Sequence, residues 1–142
     1  MSATSIDRVA ARSEGVVLLL ARVLIAALFI PAGWGHLTNV SGFAQYLGST
    51  GVPGPAIAWA VVGAVIEFFG SLALLVGFQA RLAALALAAF TLIAAILGHP
   101  YWAADAASMR NQYIHFYKDI AIVGGLLVLF ARGAGPLSID RR

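Results

Sequence analysis

The sequence predicts an all-α polytopic membrane protein: an antiparallel bundle of four transmembrane helices with a short surface helix between the first and second. Three observations lead there. Four apolar stretches, Val16 to Leu37, Ala56 to Phe78, Leu82 to Gly98 and Tyr113 to Ala131, fill most of the 142 residues. A bilayer core about 30 Å thick is crossed by about 17 to 25 residues of helix, and each stretch is long enough. The chain is 61% hydrophobic and 11% charged, with a mean hydropathy of +0.91, which sets it apart from soluble domains of its size and from disordered chains. The third stretch is apolar on every face except at Thr91, whereas a water-soluble bundle would show one apolar stripe.

Residues 1–15 form a short polar N-terminal tail and residues 132–142 a C-terminal one, so the membrane domain covers 16–131. Arg22 inside the first stretch, and the lack of a small-residue cleavage site after it, favour a retained helix over a signal peptide. Pro31, with Gly33 and Gly35 close by, is expected to bend its outer third. Next, Phe43, Tyr46 and Leu47 recur at helical spacing with Ser41 as a prospective N-cap, which predicts a short helix on the outer surface. Gly48 to Pro55 turns the chain into the second span, Gly77 to Arg81 makes a tight hairpin, and His99-Pro100 ends the third.

Orientation follows from the basic residues. Arg8, Arg12, Arg81, Arg132, Arg141 and Arg142 fall on one side, and only Arg110 lies in the opposite loops. The positive-inside rule therefore puts both termini and the short middle turn on the cytoplasmic side. Trp34, Trp59, Trp102 and all four tyrosines cluster at or near the outer ends, where rings with a polar edge suit the headgroup level. The basic residues are scattered singly, which argues against a nucleic-acid surface. With no cysteine, the chain has no disulfide, thiolate metal site or dithiol cycle.

Charges within the spans carry the functional reading. Arg22, Glu67, Lys118 and Asp119 would each cost about 2.5 to 3.5 kcal/mol at mid-membrane without a partner. With antiparallel neighbours, Arg22 falls roughly 7 Å to the cytoplasmic side of Glu67 and Lys118 roughly 6 Å to the outer side. Long side chains span such offsets, so a buried polar network of Glu67 with Arg22 or Lys118, flanked by Asp119, is expected. Gly63, Gly70 and Gly77 share a face with Glu67, which points it toward neighbouring helices. His115 and Asp119, four apart, are placed to hydrogen-bond. Such a network serves packing specificity alone, an ion or proton path, or a ligand pocket. A pocket opening toward the outer leaflet is expected between Trp34, His36, Trp59, His99, His115 and Tyr117, with Glu67 and Lys118 at its floor. Flat apolar walls with a few proton-exchanging groups suit a quinone head group. An aromatic belt with incidental histidines accounts for the same residues. The histidine spacing matches no metal signature.

Six short motifs follow one another along the chain: R-V-L-I-A-A-L-F-I-P-A-G-W-G-H (Arg22 to His36), G-F-A-Q-Y-L (Gly42 to Leu47), G-V-P-G-P (Gly51 to Pro55), V-I-E-F-F-G-S (Val65 to Ser71), G-F-Q-A-R (Gly77 to Arg81) and F-Y-K-D-I-A-I-V-G-G (Phe116 to Gly125). In this order and membrane setting they resemble the DoxX family of small bacterial four-helix membrane proteins. The family often has lysine at the position of His36 and asparagine at that of Asp119. The resemblance implies a redox setting, with links to thiosulfate:quinone oxidoreductase and to complexes that handle thiol and oxidative stress. The expected function is thus an integral subunit of a membrane redox system, with a quinone and soluble redox enzymes as partners and a homo-oligomer as an option. A non-catalytic scaffold for soluble proteins and a small transporter or proton path are the alternatives.

Overall fold

The computed structural model describes residues 4–141, so Arg142 and the first three residues of the N-terminal tail lie outside it. All regular elements among the described residues are helical: α1 (Ser5–Thr38), α2 (Val40–Ser49), α3 (Ala56–Val76), α4 (Ala80–Gly98), a 3-10 turn (Tyr101–Ala103) and α5 (Met109–Arg132). Helices α1, α3, α4 and α5 are long and apolar enough to cross a membrane, and α2 is the short helix between the first and second. Large apolar side chains such as Leu24, 71% exposed, and Leu82, 65% exposed, cover the outside. Lipid tails, not water, are the solvent in which such a surface is stable.

α1 begins inside the expected tail because Thr4 and Asp7 form a reciprocal capping box. Each satisfies an amide that the first helical turn leaves free. The helix then runs on through Pro31 for 34 residues, about 51 Å, longer than the bilayer core is thick. Its last turn abuts α2, whose N-cap is Asn39 rather than Ser41: the Asn39 side chain accepts from the Gly42 amide at 3.1 Å. Between α3 and α4 the chain reverses over Gly77 and Gln79, both in the left-handed region. At the start of α5, Asp105 accepts from the Ser108 amide at 2.8 Å and its hydroxyl at 2.9 Å. These bonds hold the exposed Asp105 carboxyl below the ordinary carboxylate range.

α3 is the hub, packing on α1, α2 and α4, while α4 also packs along α5 and α1 barely meets α5. Small residues set the spacing. Gly33 of α1 lies directly on the α3 backbone, so that a Cβ there would sit 2.6 Å from the Phe68 nitrogen. On the other side of α3, Gly70 faces Leu87 of α4. Without a hydrophobic force between helices in lipid, this close backbone approach supplies the packing that associates them.

The core divides in two. The larger cluster joins Leu74, Leu87, Leu126 and Leu129 with Leu18 and Ala134, toward the end bearing the termini. A smaller cluster, Phe43 with Ala60 and Ala64, seats α2 on α3 at the opposite end.

Candidate functional site

The expected network of four charges does not assemble. Arg22 is fully buried, but its guanidinium turns away from Glu67 toward the end bearing the termini. It donates to the Leu75 carbonyl at 2.7 Å and to the Leu137 carbonyl at 2.5 Å, with Leu74 a longer contact at 3.5 Å. Leu74 and Leu75 belong to the last turn of α3, whose carbonyls carry the negative end of the helix dipole; the Leu74 carbonyl already accepts from the Gly77 amide, and Arg22 takes up that of Leu75. Arg22 thus serves as a side-chain cap for a neighbouring helix. Sequence spacing alone could not reveal this, because the competing acceptors are backbone atoms and one belongs to the tail after α5.

That tail is a structural clasp. Ile139 and Asp140 donate backbone hydrogen bonds to Val76 and Gly77, and the Asp140 carboxylate accepts from the Ala80 amide at 3.1 Å. Arg81, expected as a loop charge, donates to the Phe130 and Ala131 carbonyls, both at 2.6 Å, and so caps α5.

Glu67 is buried, 4% exposed, and its partner is His36 at 2.5 Å, in place of the expected Arg22 or Lys118. This bond occupies the His36 Nδ1 and leaves Nε2 outside the pair. The His36 ring also stacks on Phe43 of α2, with centroids 3.8 Å apart and planes 8° from parallel. It is therefore held on one side by α3 and on the other by α2, and its orientation is set by both.

The remaining polar residues meet on α4 and α5. His99 Nδ1 faces the amide oxygen of Gln112 at 2.8 Å, and His99 Nε2 lies 3.8 Å from the Asp119 carboxylate. The His99 and His115 rings stack at 4.9 Å. His115 accepts from the exposed Lys118 ammonium at 2.9 Å, so it pairs with Lys118 and not with Asp119. The charges therefore form two groups, His36 with Glu67 and His99 with its α5 neighbours, rather than one central network.

Between these groups lies a cavity of about 710 Å³. α2 roofs it with Phe43, Tyr46 and Leu47; α3 contributes Trp59, Val62, Gly63 and Ile66; α4 contributes Ala86, Ala89, Phe90, Ala94 and Gly98. Small residues open the space on the α4 side, where Ala86, Ala89, Ala94 and Gly98 alternate with Phe90, Ile93 and Leu97, while α3 contributes one glycine, Gly63. Of the six residues expected around an outer pocket, His36, Trp59 and His99 line this cavity. Trp34, His115 and Tyr117 do not: Trp34 packs against Phe68, and Tyr117 joins Tyr113 of α5 and Tyr101 of the 3-10 turn in an aromatic group. Nor do Glu67 and Lys118 form its floor; Glu67 stands behind His36, and Lys118 is on the exposed side of α5. The expected pocket had omitted α2. The helical spacing of Phe43, Tyr46 and Leu47 marks an apolar face that needs a partner, and α3 with α4 provides it.

The walls are apolar, and two imidazoles and the Tyr46 phenol border them. The Trp59 indole N–H is taken up by the Pro53 carbonyl at 2.7 Å, leaving its ring as wall. Such a chamber suits a flat, largely apolar ligand with a few hydrogen-bonding oxygens. Among the described residues no cluster of three or more His, Asp or Glu side chains could hold a metal ion.

Comparison with known proteins places the chain. The DoxX family profile matches residues 17–100. The inner membrane protein YqjF of Escherichia coli (strain K12) is 42% identical over 128 residues, covering 90% of this chain and 92% of the relative. The inner membrane protein YphA of the same organism is 34% identical over 127 residues, 89% of this chain and 90% of the relative. The ER-derived vesicles protein ERV29 of Saccharomyces cerevisiae is 23% identical over 92% of this chain, which corresponds to 35% of that longer protein. No solved structure matches.

Proposed function

This chain belongs to the DoxX family, and from that premise we propose that it is an integral subunit of a bacterial redox system that binds a quinone head group between α2, α3 and α4. The cavity of about 710 Å³ with imidazoles at its edge is the observation that carries this reading. Phe43, Trp59 and Phe90 offer flat faces to a ring, and His36 and His99 offer polar groups to its two oxygens.

Reduction of a quinone to its hydroquinone takes two electrons and two protons. His36 is suited to the proton part, because Glu67 holds its Nδ1 and stabilises the charged ring after a proton arrives. On the other flank His99 is held differently, its Nδ1 by the neutral Gln112 amide oxygen, with the Asp119 carboxylate 3.8 Å from its Nε2. The electrons must come from a partner, since the chain has no thiol to oxidise. A soluble redox enzyme at the outer face, where the chamber opens, fits that need, and in this reading both termini lie on the opposite, cytoplasmic side of the inner membrane.

The test uses tryptophan fluorescence with a soluble short-chain quinone analogue. Trp59 lines the cavity, while Trp34 and Trp102 do not. Saturable quenching is expected to persist when Trp34 and Trp102 are both changed to Phe, and to be lost in His36→Ala. Quenching that never saturates and is the same in all variants is partitioning into detergent or lipid, and rules the site out.

A further inference from the structure

A second cavity, of about 510 Å³, lies at the opposite end of the molecule, between the start of α1 and the tail that follows α5. It owes its existence to the clasp. Arg22 and the α3–α4 turn hold residues 137–140 against the bundle, and Pro136 rests on Gly15, so close that a Cβ on Gly15 would lie 2.9 Å from its ring. The tail thus forms a wall opposite α1 instead of projecting away.

Three arginines from three segments converge on this cavity: Arg12 of α1, Arg132 at the end of α5 and Arg141 of the tail. Glu14, the one acid in the lining, is paired with Arg132. Asp140 next door is already engaged by the Ala80 amide. Three positive charges against one negative leave an excess of two, held by guanidinium groups whose forked donors match phosphate oxygens. The rest of the lining includes Val16, Leu18 and Leu137, and Val16 and Leu137 are each about half exposed. Val16 opens the apolar part of α1, so the arginines sit at headgroup level with apolar side chains immediately beneath.

We propose that this cavity binds the phosphodiester headgroup of an anionic phospholipid, with Arg12, Arg132 and Arg141 on the phosphate and Val16 and Leu137 along the first part of the acyl chains. A free phosphate would satisfy the arginines equally. The adjoining apolar wall favours the lipid, because it gives a free anion nothing. Occupancy would tie α1, α5 and the tail together and strengthen the clasp around Arg22.

The full-length protein in a neutral detergent can be titrated with short-chain phosphatidylglycerol, short-chain phosphatidylcholine or inorganic phosphate, reading the thermal unfolding midpoint. Phosphatidylglycerol is expected to raise it saturably and the other two to leave it nearly unchanged. The double variant Arg12→Gln with Arg141→Gln, both exposed positions, should weaken the phosphatidylglycerol response about 25-fold, at about fivefold for each arginine. Glu14→Gln frees Arg132 and should tighten it. Equal stabilisation by inorganic phosphate would keep the anion site and overturn the lipid as its occupant. Equal response to phosphatidylcholine, or a response indifferent to all three substitutions, would overturn the site itself.

Discussion

Glu67 and His36 act as a unit, because each is held by contacts that the other completes. The carboxylate is buried and its one side-chain partner is the imidazole; the imidazole is oriented by that bond and by the face of Phe43. Glu67→Ala is therefore expected to lower stability by about 1 to 3 kcal/mol, the usual range when a buried hydrogen-bonding partner is left unpaired. Glu67→Gln, which keeps a hydrogen-bonding group for Nδ1, should lose less. Combined with His36→Ala, Glu67→Ala should cost less than the sum of the two single changes, a coupling of about 1 kcal/mol or more. Reversible unfolding in mixed micelles measures all four corners of this cycle, and strict additivity would dissociate the pair. The burial of Glu67 was legible from its place among the small residues of α3, but its partner was not. Rise per residue puts Arg22 and Lys118 within reach of Glu67; it does not rank that carboxylate against the Leu75 and Leu137 carbonyls, which take Arg22, or against His115, which takes Lys118.

The helices themselves were readable because membrane length and apolar run coincide, and all four spans emerge within a few residues of their expected ends except at the start of α1. There the Thr4–Asp7 capping box extends the helix outward from the membrane, a short-range device that hydropathy does not detect. The tail after α5 was unreadable for another reason. Gly133 to Ser138 has no periodicity, and its place is decided by what it meets: Gly15, Arg22 and the α3–α4 turn. Contacts between elements also locate the most sensitive glycine. A methyl group at Gly33 would meet the backbone nitrogen of Phe68, which cannot rotate aside as a side-chain tip can. Gly33→Ala should therefore push α1 from α3 and cost about 1 to 3 kcal/mol, as overpacking does elsewhere. Gly35→Ala, two residues along and facing open space, should be silent. Comparing the two by thermal unfolding separates close packing from a general effect of alanine in this helix; equal outcomes would refute the packing account.

At the scale of the whole molecule the two ends differ in construction. At the end bearing the termini the helices pack on one another through leucine and alanine and are tied by arginine, and the cavity there lies outside this core, between α1 and the tail. At the opposite end the space is between the helices themselves, roofed by α2 and edged with aromatic rings and histidines. A rigid base with an open chamber at the other end gives the molecule a direction, and the basic residues say which way it faces. Arg8, Arg12, Arg81, Arg132 and Arg141 all lie at the end bearing the termini, and Arg110, at the start of α5, is the lone arginine at the opposite one. Basic residues in short flanking segments resist transfer across the membrane, so the end bearing the termini should stay in the cytoplasm and the chamber should open toward the outer leaflet. A reporter that works only outside the cytoplasm, fused after Arg142, should give no signal. The same reporter inserted after Ser49, at the end of α2, should give a strong one. Because the bias rests on few charges, it should also be movable: replacing Arg8, Arg12 and Arg81 with Gln while adding lysines beside Arg110 should produce a mixed population. A strong signal from the Arg142 fusion in the unaltered chain would reverse the orientation and put the chamber on the cytoplasmic side, where its electron donor would have to be a cytoplasmic enzyme.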